Sequence, residues 1–177
     1  MRGSWFSADA LDRMRRIVVG VLLTFILLPL EGVLGRLRLP PLPPGAPWLG
    51  LLLVMSAGYL FDREHGGVMG LFVGLLADCM SDGIMLRPLS YFLLGWLAGQ
   101  LAHVRLAHNL PSFAVFAAVG SVMEGLFRIG AAAVTGRGVP PISFVWYSVL
   151  PHVVMTVLVS PCVYGIVYLT RNRIVRR

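Results

Sequence analysis

The chain contains no lysine; all 15 basic residues are arginine. That absence excludes Schiff-base chemistry on lysine and the phosphate-gripping lysine of a P-loop, and no G-x-x-x-x-G-K segment occurs. Charge of either sign is scarce, at 13% of residues against 57% hydrophobic. A soluble domain of this size carries about 25% charge, so polar cover for a water-facing surface is missing. Cysteine is nearly absent as well. Cys79 and Cys162 both lie in apolar stretches and read as small buried hydrophobes rather than a disulfide or metal pair. His65, His103, His108 and His152 share no ligand spacing, so no metal is expected. Ser148 and His152 share a helix face, but without further partners they make no nucleophile site. No cofactor and no enzymatic activity are expected.

What is present is a series of apolar runs, enough for one compact membrane domain with mean hydropathy +0.80. The fold class expected is an all-α polytopic membrane protein of about six short transmembrane helices. Residues 1–16 form a basic leader, and span one follows at about 17–34, with Pro29 as a candidate kink and Glu31 near its far end. No small-residue cleavage pattern follows this run, so it reads as a retained helix rather than a signal peptide. A proline-rich connection covers 36–47, where missing amide donors resist helix. Span two, 48–61, is short, with Trp48 and Tyr59 as interface anchors. Span three starts near Gly66 and ends at Met80. Ser81, Asp82 and Gly83 form a turn, and span four covers about 88–102, with Pro88 in its first turn. Span five is 110–129 and span six 144–169. The membrane domain is thus 17–170, and an arginine-rich tail, 171–177, closes the chain.

The net charge of +7 is not gathered on one face, as a nucleic-acid binder would require. Arginines instead flank the apolar runs. With a cytoplasmic N-terminus, ten fall on the cytoplasmic side and five on the other. Basic residues mark the cytoplasmic side of membrane spans, so both termini are expected in the cytoplasm.

The most informative segment is 66–99. Gly66, Gly70 and Gly74 recur every four residues and would form a bare helix face, against which another helix packs closely. Asp78 continues that register. Three readings of it stand: a structural carboxylate pairing with turn amides or Arg87, a contact for a partner protein, or a proton or ion relay. Asp82 and Gly83 are turn chemistry. Gly95 and Gly99 repeat the small-residue spacing in span four. Glu124 and Arg128, one turn apart, can pair with each other or with another helix.

The stretch GLFVGLLADCMSDGIMLRPLSYFLLGWLAG resembles MreD, the rod shape-determining membrane proteins of bacterial cell elongation. In that family a helix of the form G-x-x-x-G-L-x-x-D leads through a short Ser/Gly turn into another apolar helix. Gly70, Gly74, Leu75, Asp78, Ser81 and Gly83 match in turn. Where the family often has a Pro-Leu-Gly-like step, this chain has Gly83 to Pro88 as G-I-M-L-R-P. The basic N-terminus, short spans and arginine tail fit too, and SVLPHVVMTVLVSPCVYGIVYL resembles the closing helix.

The resemblance implies a non-catalytic inner-membrane scaffold that coordinates peptidoglycan synthesis. It implies MreC as direct partner, with MreB, RodA and a class B penicillin-binding protein as neighbours. It also implies a fold similar to the substrate-binding membrane subunits of energy-coupling-factor vitamin transporters. The competing function is a substrate-binding subunit of a vitamin importer.

Overall fold

A computed structural model describes residues 8–36, 46–80, 86–104, 109–134 and 149–175. Outside them lie residues 1–7, 37–45, 81–85 with the expected Ser81–Asp82–Gly83 turn, 105–108, 135–148 with the expected start of span six, and Arg176 and Arg177.

Six helices are described: α1 (Ala8–Arg36), α2 (Leu49–Leu60), α3 (Arg63–Cys79), α4 (Arg87–Val104), α5 (Leu110–Val134) and α6 (Leu150–Val175). α1 runs unbroken from ahead of the apolar stretch and carries Pro29 within it. Pro88, Pro111 and Pro151 each sit in the first turn of a helix, where a missing N–H costs nothing.

The expectation of six spans is corrected. Among the described residues, three helical stretches are long and apolar enough to cross a membrane: Met14–Gly35, Leu110–Ala131 and Leu150–Asn172. α2 has only 12 residues, about 18 Å at 1.5 Å per residue, against a hydrocarbon core of about 30 Å. α3 spends its first turn on Arg63, Glu64 and His65.

α2 is the centre of the protein. Every residue from Leu49 to Leu60 is buried. A helix apolar on all sides has no preferred face and is stable only when surrounded. α3 and α4 pack against each other and against α2, while α1, α5 and α6 complete the enclosure. Successive helices alternate in direction. Asp78 at the end of α3 meets Arg87 at the start of α4, and Trp48 at the start of α2 meets Thr156 near the start of α6. At the opposite end, Tyr59 of α2 packs on Phe113 of α5 and Tyr164 of α6. α1 therefore begins, and α6 finishes, at the same end.

Trp48 and Tyr59 are not lipid-facing anchors, as the sequence suggested. Both are buried, because α2 lies inside the bundle rather than on its rim. Cys79 and Cys162 are corrected in the other direction: both are free and exposed, on the outer faces of α3 and α6.

The outer surface carries large apolar side chains, such as Phe25, Leu75, Val119 and Leu158, in addition to the apolar core within. Apolar residues outside as well as inside suit a surface facing lipid, and glycines at the α2–α3–α4 contacts allow the close backbone approach that holds helices together there. Glycines outside the contacts serve as a control. A Cβ on Gly165 would meet nothing within 4 Å. Gly165→Ala is expected to leave stability unchanged or raise it by about 0.5–1 kcal/mol, as read from the unfolding midpoint in detergent.

Candidate functional site

Two features occupy the α2–α3–α4 unit: a glycine junction in its middle and a polar cluster at one end.

The junction begins with Gly58 of α2, Gly66 of α3 and Gly95 of α4, which converge on one point. A Cβ on Gly66 would lie 2.6 Å from Gly58 Cα and collide with the Gly95 carbonyl. One on Gly95 would collide with the Gly66 carbonyl and lie 2.6 Å from Val54 Cγ1. Further along α3, a Cβ on Gly70 would lie 2.7 Å from the Phe92 nitrogen, and one on Gly74 would lie 2.6 Å from Pro88 Cα. Toward the other end, a Cβ on Gly99 would lie 2.6 Å from the Arg63 nitrogen. Each step of four residues up α3 is matched by a similar step down α4, so the two backbones touch along their whole length. Gly66, Gly70, Gly74, Gly95 and Gly99 are thus brought together on one interface. Asp82 and Gly83 lie outside the described residues.

Asp78 and Arg87 close the α3–α4 pair. The Arg87 backbone N–H donates to Asp78 Oδ2 at 3.2 Å, and Arg87 Nε lies 3.4 Å from Oδ1. Arg87 Nη1 also donates to the Ala77 carbonyl at 3.1 Å. The carboxylate therefore accepts from the first residue of α4 while the guanidinium caps the end of α3. Asp78→Asn keeps an acceptor for the amide but loses the ion pair. It is expected to lower the unfolding midpoint by an amount equivalent to about 1–2 kcal/mol, whereas an unchanged midpoint would remove this role.

Glu124 is 1% exposed. The Ser90 hydroxyl donates to its Oε2 at 2.8 Å, and Arg128 Nε donates to its Oε1 at 3.2 Å. Of the two partners considered for this acid, its own-helix arginine is used, with a serine from α4 added. The Arg128 guanidinium then lies 4.7 Å over the Trp48 ring, a favourable cation–π contact. Trp48 also stacks on His152, at 5.5 Å between centroids.

α2 is capped from outside its own sequence. Trp48, at its N-cap, makes no side-chain cap bond. Instead the Trp48 N–H donates to Thr156 Oγ1 at 3.0 Å, and the Gly50 N–H donates to Glu31 Oε2 at 3.1 Å. A carboxylate at this position also suits the positive end of the helix dipole. Glu31, noted in the sequence only for its depth in span one, is thus a cap supplied in trans by α1.

Gly58 and Ser90 went unnoticed in the sequence. Gly58 has no partner at four-residue spacing in α2, though the S-A-G run at 56–58 marks a narrow stretch of helix. Ser90 carries no local signal, because its partner lies on another helix.

Among the described residues, no group of three or more His, Cys, Asp and Glu side chains is placed to hold a metal. The cavity between α1, α2, α3 and α6, lined by Gly20, Leu53, Ala57 and Met69 among others, measures about 20 Å³, room for a single water. A wider, open cleft of about 450 Å³ lies along the second half of α5, lined by Met123, Phe127 and Val134 together with Leu86, just ahead of α4. The arrangement holds helices in register: Asp78 pairs with Arg87, Glu124 with Arg128, and Glu31 accepts from the start of α2. No family model, no curated protein and no solved structure matches the chain.

Proposed function

We propose that the protein is a non-catalytic membrane scaffold with the role of MreD, binding MreC and linking it to MreB, RodA and a class B penicillin-binding protein. Its place would be the bacterial inner membrane, with both termini in the cytoplasm. One observation carries the reading. Gly70, Gly74 and Asp78, on which the resemblance rests, are locked against the backbone or side chain of α4. A stiff hairpin of this kind suits a body that other membrane proteins dock on. The distribution of arginines supports the orientation.

The test is depletion in the host combined with crosslinking in native membranes. The expected result is loss of rod shape and capture of an MreC protein. Normal shape on depletion, with no MreC captured, would sink the proposal.

The open cleft beside α4 and α5 favours a second reading, a substrate-binding subunit of a vitamin importer. Its volume suits a small ligand, although its described lining is apolar and lacks the converging polar groups that orient one. Purified protein that retains a vitamin in near-stoichiometric amount would favour this reading over the scaffold.

A further inference from the structure

The apolar heights of the helices differ across the molecule. On α3 the exposed apolar side chains run from Val68 to Met80, about 20 Å of helix. On α4 they run from Leu89 to Leu101, also about 20 Å. The two helices share these limits. Arg63 Nη1 donates to Gln100 Oε1 at 3.1 Å at one end, and Asp78 pairs with Arg87 at the other. Between these two contacts the outer face is apolar and exposed, through Val68, Leu71, Leu75, Trp96 and Leu97. α1, α5 and α6 are taller. Their exposed apolar side chains run from Met14 to Val33, from Leu110 to Val134 and from Leu150 to Leu169, about 30–38 Å of helix.

A bilayer with a hydrocarbon core of about 30 Å fits the tall helices with slight tilt but overshoots the α3–α4 face by about 10 Å. The glycine junction prevents α3 and α4 from adapting independently, because their backbones touch along their length. The lipid is the softer component and yields at modest cost.

We propose that the α3–α4 face thins the bilayer beside it and preferentially gathers lipids with short acyl chains, while the α5 face meets membrane of ordinary thickness. The inference rests on the proposed membrane placement, extended from the three long helices to α3 and α4, and it is independent of which proteins dock.

Trp96 is exposed on this face and serves as a native reporter, whereas Trp48 is buried. The full chain carrying Trp5→Phe and Trp146→Phe would be reconstituted in phosphatidylcholines with chains of about 14 to 22 carbons. Quenching by brominated analogues of each length then gives relative lipid affinities at Trp96. The same series on Val119→Trp, with Trp96 also changed to Phe, reads the α5 face, where Val119 is exposed.

The expected result is a preference at Trp96 of about threefold or more for the shortest chains over the longest, with the optimum at Val119→Trp shifted to longer chains. Identical optima at the two sites would overturn the thinning while leaving α3 and α4 in the membrane. Absence of quenching at Trp96 by every lipid would overturn both the thinning and the placement of this face against lipid.

Discussion

Gly66→Leu is expected to abolish the folded bundle. The new side chain would start 2.6 Å from Gly58 Cα and against the Gly95 carbonyl. Backbone cannot rotate aside as a flexible side chain can. Two helices must therefore separate from α3, and their separation opens the α2 core. Overpacking in a soluble core costs about 1–3 kcal/mol. Here the obstacle is main chain on two sides, so the loss is expected to reach about 4 kcal/mol or more. In detergent, the variant should lose its cooperative unfolding transition, while Gly165→Leu, facing open space, keeps it. Gly74→Leu should act in the same direction with smaller effect, because it meets α4 near its first turn and only one helix need move. If Gly66→Leu and Gly165→Leu unfolded alike, the convergence of the three glycines would not be what holds α2, α3 and α4 together.

Glu124→Ala is expected to cost about 2–3 kcal/mol, since it removes a buried carboxylate with two hydrogen bonds but strands only a partly exposed Arg128. The Ser90 hydroxyl loses its acceptor, and Arg128 is left over the Trp48 ring without its counter-charge. Glu124→Gln keeps an acceptor for Ser90 and should cost less. The informative comparison is Glu124→Ala with Arg128→Met, which removes both charges. It should recover part of the loss, since replacing a whole buried pair by apolar groups is far milder than stranding one member. Trp48 fluorescence should shift in Glu124→Ala as Arg128 moves. A double variant as unstable as the sum of its single changes would show that the two residues do not act as a pair.

Much of this architecture was legible because apolar runs and punctuation are local. Runs at 17–34, 110–129 and 144–169 announced long helices, and Pro88 stood where α4 begins, whereas α3 starts at Arg63, ahead of the Gly66 expected, because its first turn is polar. The spacing of Gly66, Gly70 and Gly74 pointed to one face, and the same count of four led to Asp78. What was illegible depends on the third dimension. α2 reads as a short span because LGLLLVMSAGYL is apolar throughout, and such a run looks the same beside lipid as inside protein. Trp48 and Tyr59 were misplaced for that reason. Cys79 and Cys162 were misplaced by the converse, since an apolar neighbourhood does not tell an inner face from an outer one. The partners of Glu31, Ser90 and Thr156 lie on other helices, and no spacing within one helix reveals them.

The borrowed caps of α2 set an order of assembly. Its first amides are satisfied by Glu31 from the helix before it and by Thr156 from the helix that ends the described chain. While the chain is being made, the first of these acceptors is already present, but the second is still in the ribosome. α2 therefore forms with part of its start uncapped, and this cap is completed only when α6 has been made and docked. Completion of α6 is in this sense the latch on the centre of the molecule. Chains cut short before residue 150 would present an unlatched α2, a form that membrane quality control could distinguish from the finished protein.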